Sequence, residues 1–300
     1  MKLFVTGASG LVGSRLCADL SSAGHEVMGL SRQPRMGGPE WVLGDAGEPG
    51  SWTERACAAD AVFHLCGESI AEGRWTSARK RALLSSRVDS TRVLVESLAA
   101  SAQRPRVLVC ASACGYYGAR GEEELVESSP PGSDFLAELC CAWEAEADAA
   151  ERLGMRVVKL RLGVVLSAGG GALAKMLPVF RLGLGGPLGP GRRWFPWLAE
   201  SDAVGLLRFA LAREISGPVN AVAPGAVRMG EFAATLGRVL RRPALLPVPE
   251  VALKLALGEM GGSLAPGQHV VPQAALEAGY RFEHPTLEAA LAAVVSEAAS

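Results

Sequence analysis

"VTGASGLVGSRL", Val5 to Leu16, sets three glycines, Gly7, Gly10 and Gly13, between an apolar run and an amphipathic one. "KLFVTG" reads as a short buried strand, "LVGSRLCADLSSAG" as a helix closed by Gly24, and "HEVMGLSR" as a second strand. The GxxGxxG spacing is a variant of the turn that seats a dinucleotide. Gly7 permits the tight bend, Gly10 lets backbone approach a pyrophosphate, and Gly13 lets helix pack on strand. Backbone N–H groups at the helix start then face phosphate oxygens, which makes Thr6, Gly7, Ser9, Gly10, Leu11, Val12 and Gly13 the expected phosphate-side set.

Strands and helices keep alternating beyond this unit. "WVLGD", "AVFHLCG", "RVLVCASA" and "MRVVKLRLG" read as strands. Between them lie helical patterns in "SWTERACAA", in the long "SARKRALLSSRVDSTRVLVESLAAS" and from Asp134 to Leu153. Parallel neighbours need a crossover of helix length, so this order predicts an α/β fold with a doubly wound parallel sheet. After Gly163 the texture becomes rich in Gly and Pro, and the alternation ends. The reading is a cofactor-binding domain over residues 1–163, with later segments returning to it, and a smaller C-terminal α+β cap over 164–300, mainly on the substrate side. In the second part "PVNAV" and "LLPVP" are expected strands. "SDAVGLLRFALA", "MGEFAATLGRVL", "EVALKLALGEM" and "TLEAALAAVVSEA" are expected helices.

An apolar fraction of 49% supplies ample core, and a net charge of −1 with no basic run argues against a nucleic-acid partner. No apolar run reaches membrane-spanning length and no charged leader precedes the first strand, so a cytoplasmic protein without a membrane partner is expected. The seven cysteines form no CxxC pair and the four histidines stand singly, so no metal site is expected.

Cofactor choice turns on the end of the second strand, where an acid would accept from a ribose 2′-OH. The chain has Ser31 and Arg32 there, with Arg35 close behind. A guanidinium can grip a 2′-phosphate through paired charge-assisted hydrogen bonds, which favours NADP(H) over NAD(H). A solvated surface arginine is the plain alternative.

With these motifs in place, the chain resembles an extended, atypical short-chain dehydrogenase/reductase of the NAD-dependent epimerase/dehydratase family, with a Rossmann-like fold. More narrowly it is similar to the subgroup with a C-terminal domain of unknown function, the SulA-like, YfcH-like homologues of nucleoside-diphosphate-sugar epimerases. The segments "AVFHLCGESIAEGRWTSARKRALLSSRVDSTRVLVE", "ASACGYYG", "DFLAELCCAWEAEA", "LRLGVVLSAGGGALAKMLPVFRLGLGGPLGPGRRWFPW", "GPVNAVAP" and "GYRFEHPTLEAAL" carry the resemblance. It implies that Asp45 lies beside the adenine, that "HLCG" (His64, Leu65, Cys66, Gly67) lines the cofactor, and that Arg87 faces it from the long helix. The bland readings are a turn-capping Asp45, a packed His64 and a helix-surface Arg87. Relatives carry a Trp-Ile-His-Ile-Asp-Asp pattern where this chain has "WLAESD", and only Trp197 and Asp202 match it.

The resemblance also implies a serine that holds a substrate oxygen, a tyrosine that moves its proton and a lysine four residues on. Ser112 fits the serine. The Tyr-Lys pair is missing: aligned on Glu144, its positions hold Leu136 and Cys140, and no Tyr or Lys occurs between Tyr117 and Lys159. Cys140 in an apolar helix is expected to be an inert thiol. Tyr117 is the candidate phenol near Ser112, with a wall of the substrate pocket as its other reading. Lys175, Arg181, Arg192, Arg193 and Asn220 are further polar groups of the cap segment, arginines suiting a diphosphate and loop arginines in solvent being the alternative.

Two functions follow. One is an NADP(H)-dependent epimerase or oxidoreductase acting on a nucleotide-sugar-like or small carbonyl substrate, with which a homodimer is compatible. The other is a non-catalytic NADP(H) sensor or scaffold that lost the Tyr-Lys pair.

Overall fold

A computed structural model describes residues 1–249, 251 and 267–297. Its centre is a seven-stranded sheet in the order β11-β7-β5-β4-β1-β2-β3. The strands are β1 (Lys2–Thr6), β2 (Glu26–Ser31), β3 (Glu40–Leu43), β4 (Ala61–His64), β5 (Val107–Ala113), β7 (Arg156–Leu162) and β11 (Gly217–Ala221). Every pairing between them is parallel. Leu3, Phe4 and Val5 of the central β1 are 0% exposed, the apolar run of a strand covered on both faces.

Helices α1 (Leu11–Ser22), α2 (Ser51–Cys57), α3 (Ser77–Leu84), α4 (Ser90–Ala100) and α5 (Phe135–Asp148) cover the faces. The expected long helix is broken by one π turn at Ser85–Asp89, between α3 and α4. Asp134 caps α5 by accepting from the Ala137 amide at 2.9 Å. α5 packs Leu136, Leu139, Cys140 and Trp143 into the core on its side of the sheet, with Phe135 partly buried against it.

The later segments divide differently from their sequence texture. "PVNAV", expected as a strand of the cap region, forms β11, the edge strand of the main sheet. α7 (Glu200–Ala212) leads into it and packs on α1 and the sheet. The Gly- and Pro-rich stretch contains a helix, α6 (Gly171–Arg181), with Pro178 inside it. Turn residues masked its apolar spacing: Leu173, Leu177 and Phe180 fall on one buried face.

Short pairs, β8 (Val164–Leu166) with β10 (Trp197–Ala199) and β9 (Trp194–Phe195) with β12 (Val227–Arg228), join α6 to α8 (Met229–Leu240), and β6 (Glu124–Leu125) pairs with β13 (His269–Val270). The smaller C-terminal core closes around Phe180, Trp197, Phe232, Leu236 and Leu291. "LLPVP" contributes one bridge, Val248 to Leu188, instead of a strand. The expected helix "EVALKLALGEM" lies outside the described residues, apart from Val251.

The terminal segment is tied down by a buried acid. Asp202, 0% exposed, accepts from the Glu283 and His284 amides at 2.8 and 3.0 Å and from the Tyr280 hydroxyl at 3.2 Å. Three donors satisfy a carboxylate that would otherwise be costly to bury.

Candidate functional site

The glycine turn lies at the C-terminal edge of the sheet, where β1 runs into α1. Gly7 has φ +67°, and a Cβ there would stand 2.7 Å from the Leu65 carbonyl, so both conformation and space require glycine. At Gly13 a Cβ would lie 2.2 Å from the Gly7 oxygen, which is the close helix-on-turn packing that its spacing predicts. Gly10 is the N-cap residue of α1; no side chain caps the helix and no acid stands in its first turn. The first-turn amides of α1 thus form a positive end without a protein carboxylate, which suits phosphate. Ser9 and Gly10 are exposed at the turn, Leu11 and Val12 are half-buried behind it, and Thr6 is buried at the end of β1.

On one side of the turn a cleft of about 900 Å³ is lined by Ser9, Gly10, Leu11, Ser167, Gly170 and Arg181. On the other, a cavity of about 220 Å³ is lined by Ser9, Ser14, Arg35, Gly38 and Trp41. Ser31, 6% exposed, accepts from Arg35 Nε at 3.2 Å, and the Arg35 guanidinium lies 5.5 Å from the Trp41 ring centre. Arg32 follows Ser31 on the exposed surface. This end of β2 gathers two guanidinium groups and no carboxylate, as a 2′-phosphate requires.

The remaining cofactor-side candidates are placed less uniformly. Leu65, Cys66 and Gly67 leave β4 directly against Gly7. Asp45 is exposed and accepts from the Gly47 amide at 2.9 Å, a local turn contact. Arg87, in the π turn, is buried; its guanidinium donates to the Glu68 and Leu83 carbonyls at 2.8 and 3.2 Å and lies 5.3 Å from the Trp143 ring centre. It pins the loop after Gly67 from behind.

The chemistry-bearing groups converge one strand beyond. Sheet register aligns Ser112 of β5 with Arg161 of β7, and Arg161 with Asn220 of β11, which puts three polar residues in a row across adjacent strands. α5 lowers Glu144 onto this row. The Ser112 hydroxyl donates to Glu144 Oε1 at 2.6 Å, while Arg161 grips both carboxylate oxygens at 2.8 Å, through Nε and Nη2. Arg161 also donates to the Tyr117 hydroxyl and to the Glu127 carbonyl, each at 3.0 Å, and its guanidinium stacks 3.4 Å from the Tyr116 ring centre. Ser112, Glu144 and Arg161 are 2%, 6% and 3% exposed.

Tyr117 stands in this network fully buried, and its proton is committed to Asn220 Oδ1 at 2.6 Å. Burial pushes its phenol well above the ordinary tyrosine value, and the Arg161 charge pulling the other way does not prevail. That position makes it a buttress for Arg161 and Asn220. The Asn220 amide group in turn donates to the Val271 carbonyl at 2.8 Å.

Leu136 and Cys140, at the positions of the missing pair, pack against Gly115. Burial raises the Cys140 thiol to about 12, which disfavours its thiolate at neutral pH. Glu144 lies on the same stripe one turn later, since 136, 140 and 144 share a helix face. Sequence reading used Glu144 only as an alignment marker and passed over Arg161. The available signal was Glu144 at the helical spacing of the apolar stripe Leu136, Cys140, and Arg161 inside the apolar strand pattern "RVVKLRLG", where burial demands a partner.

Residues 3–222 match the NAD dependent epimerase/dehydratase family, and residues 248–294 match a domain of unknown function, DUF1731. The chain belongs to the NAD dependent epimerase/dehydratase family. An epimerase family protein of Mycobacterium bovis is 41% identical over 290 residues, covering 96% of this chain and 95% of that one. Within the family, the crystal structure of the human epimerase family protein SDR39U1 with NADPH superposes with a TM-score of 0.88 at 34% identity, covering 99% of both chains. A nucleoside-diphosphate sugar epimerase from Corynebacterium glutamicum matches at TM-score 0.78 and 34% identity, over 97% of this chain and 57% of that one. Among the described residues of this epimerase-family chain, no helix is long and apolar enough to cross a membrane.

Proposed function

We propose that the chain is a cytoplasmic NADP(H)-dependent oxidoreductase or epimerase acting on a hydroxyl or carbonyl carbon of a nucleotide-sugar-like or small carbonyl substrate. The turn from Thr6 to Gly13 holds the pyrophosphate, Arg32 and Arg35 hold the 2′-phosphate, and Leu65 to Gly67 line the cofactor. The human relative crystallised with NADPH and the two arginines at the end of β2 support the cofactor, and the bacterial nucleoside-diphosphate sugar epimerase supports the substrate class. Bound NADP(H) supplies or takes up hydride at the substrate carbon.

The observation that carries the reading is the Ser112 hydroxyl, held by Glu144 at the sheet's C-terminal edge, two strands from the glycine turn. Because Ser112 donates its proton to Glu144, its free lone pairs can accept from a substrate hydroxyl. In the oxidising direction Ser112 Oγ takes the substrate proton as its own passes to Glu144 Oε1, and the reducing direction reverses both transfers. Arg161 orients the carboxylate, and Tyr117 holds Arg161. Glu144 thereby stands in for the absent tyrosine as the proton-holding group, acting through Ser112.

The test follows NADPH consumption against aldehydes, ketones and sugar nucleotides, in wild type, Ser112→Ala and Glu144→Gln. Both variants should lose turnover by at least about a hundredfold, the scale of general acid–base catalysis, while keeping NADPH affinity within a few-fold. Full turnover in Glu144→Gln would remove the relay. The apolar packing of Leu136 and Cys140 favours a second reading, a sensor that binds NADP(H) without consuming it. Tight NADPH binding with no turnover against any substrate class would select the sensor.

A further inference from the structure

Of the seven cysteines, Cys66 borders the glycine turn and contacts a histidine. It is part-buried where β4 leaves the sheet, and a Cβ at Gly7 would touch its backbone nitrogen at 2.8 Å, so it borders the glycine turn itself. Its Sγ lies 3.7 Å from Nε2 and 3.9 Å from Nδ1 of His64, and 3.4 Å from the Ser90 hydroxyl. The imidazole is fixed from behind, with Nδ1 3.0 Å from Thr6 Oγ1 across the β1–β4 register. A thiol against a base, with the base oriented by a third group, is the arrangement of an activated nucleophile.

We propose that Cys66 is a modification site: a nucleophilic thiolate, paired with His64 beside the glycine turn, that reacts with hydroperoxides and soft electrophiles and whose modification excludes NADP(H). With hydrogen peroxide, the thiolate sulfur attacks one peroxide oxygen. The S–O bond forms as the O–O bond breaks, sulfur loses two electrons, and hydroxide leaves to take up a solvent proton. The added oxygen or carbon chain then occupies space beside Gly7. This last step rests on the NADP(H) reading above; the reactivity of the thiol does not.

The electrostatics support the geometry. Burial alone would push the thiol up, but the His64 charge and hydrogen bonds from His64, Ser90 and Thr6 bring it down to about 7. The other ionisable neighbours are the Arg87 guanidinium, from the π turn, and the Cys110 thiol of β5. Burial pushes Cys17 up to about 12, and it also raises Cys110, Cys114, Cys140 and the part-exposed Cys141. Cys66 is therefore the thiol expected to ionise at neutral pH, and the part-exposed Cys141 serves as an internal reference.

Labelling of the full chain with iodoacetamide from pH 5.5 to 9.5, mapped by peptide mass spectrometry, tests the proposal. Cys66 should react first, with half-maximal rate near pH 7, and at pH 6.5 about tenfold faster than Cys141. His64→Asn should move the midpoint up toward an ordinary thiol near pH 8.5. Should that variant misfold, the wild-type contrast with Cys141 decides alone. Labelling of Cys66 no faster than Cys141 would overturn the proposal. Hydrogen peroxide followed by dimedone should tag the same residue.

Saturating NADPH, with occupancy confirmed by calorimetry, should slow Cys66 labelling at least fivefold, and alkylated protein should bind NADPH at least tenfold more weakly. Undiminished labelling with NADPH bound would refute the exclusion. Absence of NADPH binding to unmodified protein would instead refute the cofactor reading, while the pH profile still decides the thiol.

Discussion

Replacing Glu144 by alanine isolates the buried row on which the functional reading depends. The substitution removes the acceptor of three hydrogen bonds, one from Ser112 at 2.6 Å and two from Arg161 at 2.8 Å. It leaves a guanidinium that is 3% exposed without its counter-charge. Breaking a buried pair by removing one partner costs roughly 3–5 kcal/mol, because the remaining charge stays desolvated. Arg161 keeps its contacts to Tyr117, to the Glu127 carbonyl and to the Tyr116 ring, which points to the lower end, about 3 kcal/mol. At about 2–4 °C per kcal/mol for chains of this order of size, the melting temperature should fall by roughly 6–12 °C. Calorimetric or circular dichroism melts of both proteins measure it. The companion variant Glu144→Met with Arg161→Met removes both charges and should recover most of the loss, since an apolar pair of similar volume carries no desolvation cost. A fall below about 2 °C in Glu144→Ala, or a double variant no more stable than the single one, would show that water reaches the pair and refute the reasoning.

Four further outcomes are expected. Arg32→Asp should reverse cofactor preference from at least about tenfold for NADPH to NADH, read by calorimetric titration, and equal wild-type affinities would remove the 2′-phosphate assignment. Gly13→Ala, whose Cβ would stand 2.2 Å from a backbone oxygen, should destabilise by about 3 kcal/mol or more. Gly10→Ala, with 3.2 Å at the corresponding contact, should cost less, and denaturant titration ranks the two. Burial raises the Tyr117 and Tyr280 phenols in the folded state, so the associated stability is complete below pH 10 and lost above it. Ultraviolet titration should then show two of the three tyrosines ionising late or only on unfolding. Asp202→Ala strands the Glu283 and His284 amides and should expose the terminal segment to limited proteolysis before global unfolding.

The parallel sheet, the cofactor turn and the absence of the Tyr-Lys pair were legible in the chain because each depends on residues close together in sequence. A strand, three glycines and a helix specify a phosphate seat wherever they occur, and no folding arrangement restores a phenol that α5 lacks. The order of strands beyond the alternation was not legible in the same way. "PVNAV" has the same local pattern in a cap or in a sheet edge, and only its parallel pairing with β7 decides between them. The helix α6 was hidden because glycine and proline signal turns locally, whereas packing of Leu173, Leu177 and Phe180 on α8 and the terminal helix outweighs that preference. Most of all, the Ser112, Glu144, Arg161, Tyr117 and Asn220 network is assembled from residues up to 108 positions apart, one from each of three neighbouring strands and two from the segments lying over them. The sequence alone determined that Glu144 and Arg161 lay within an apolar helix stripe and an apolar strand. Which acid met which base, and that Ser112 joined them, followed only from strand register and the packing of α5, because a buried charge is stabilised by whichever partner the fold brings within hydrogen-bonding distance.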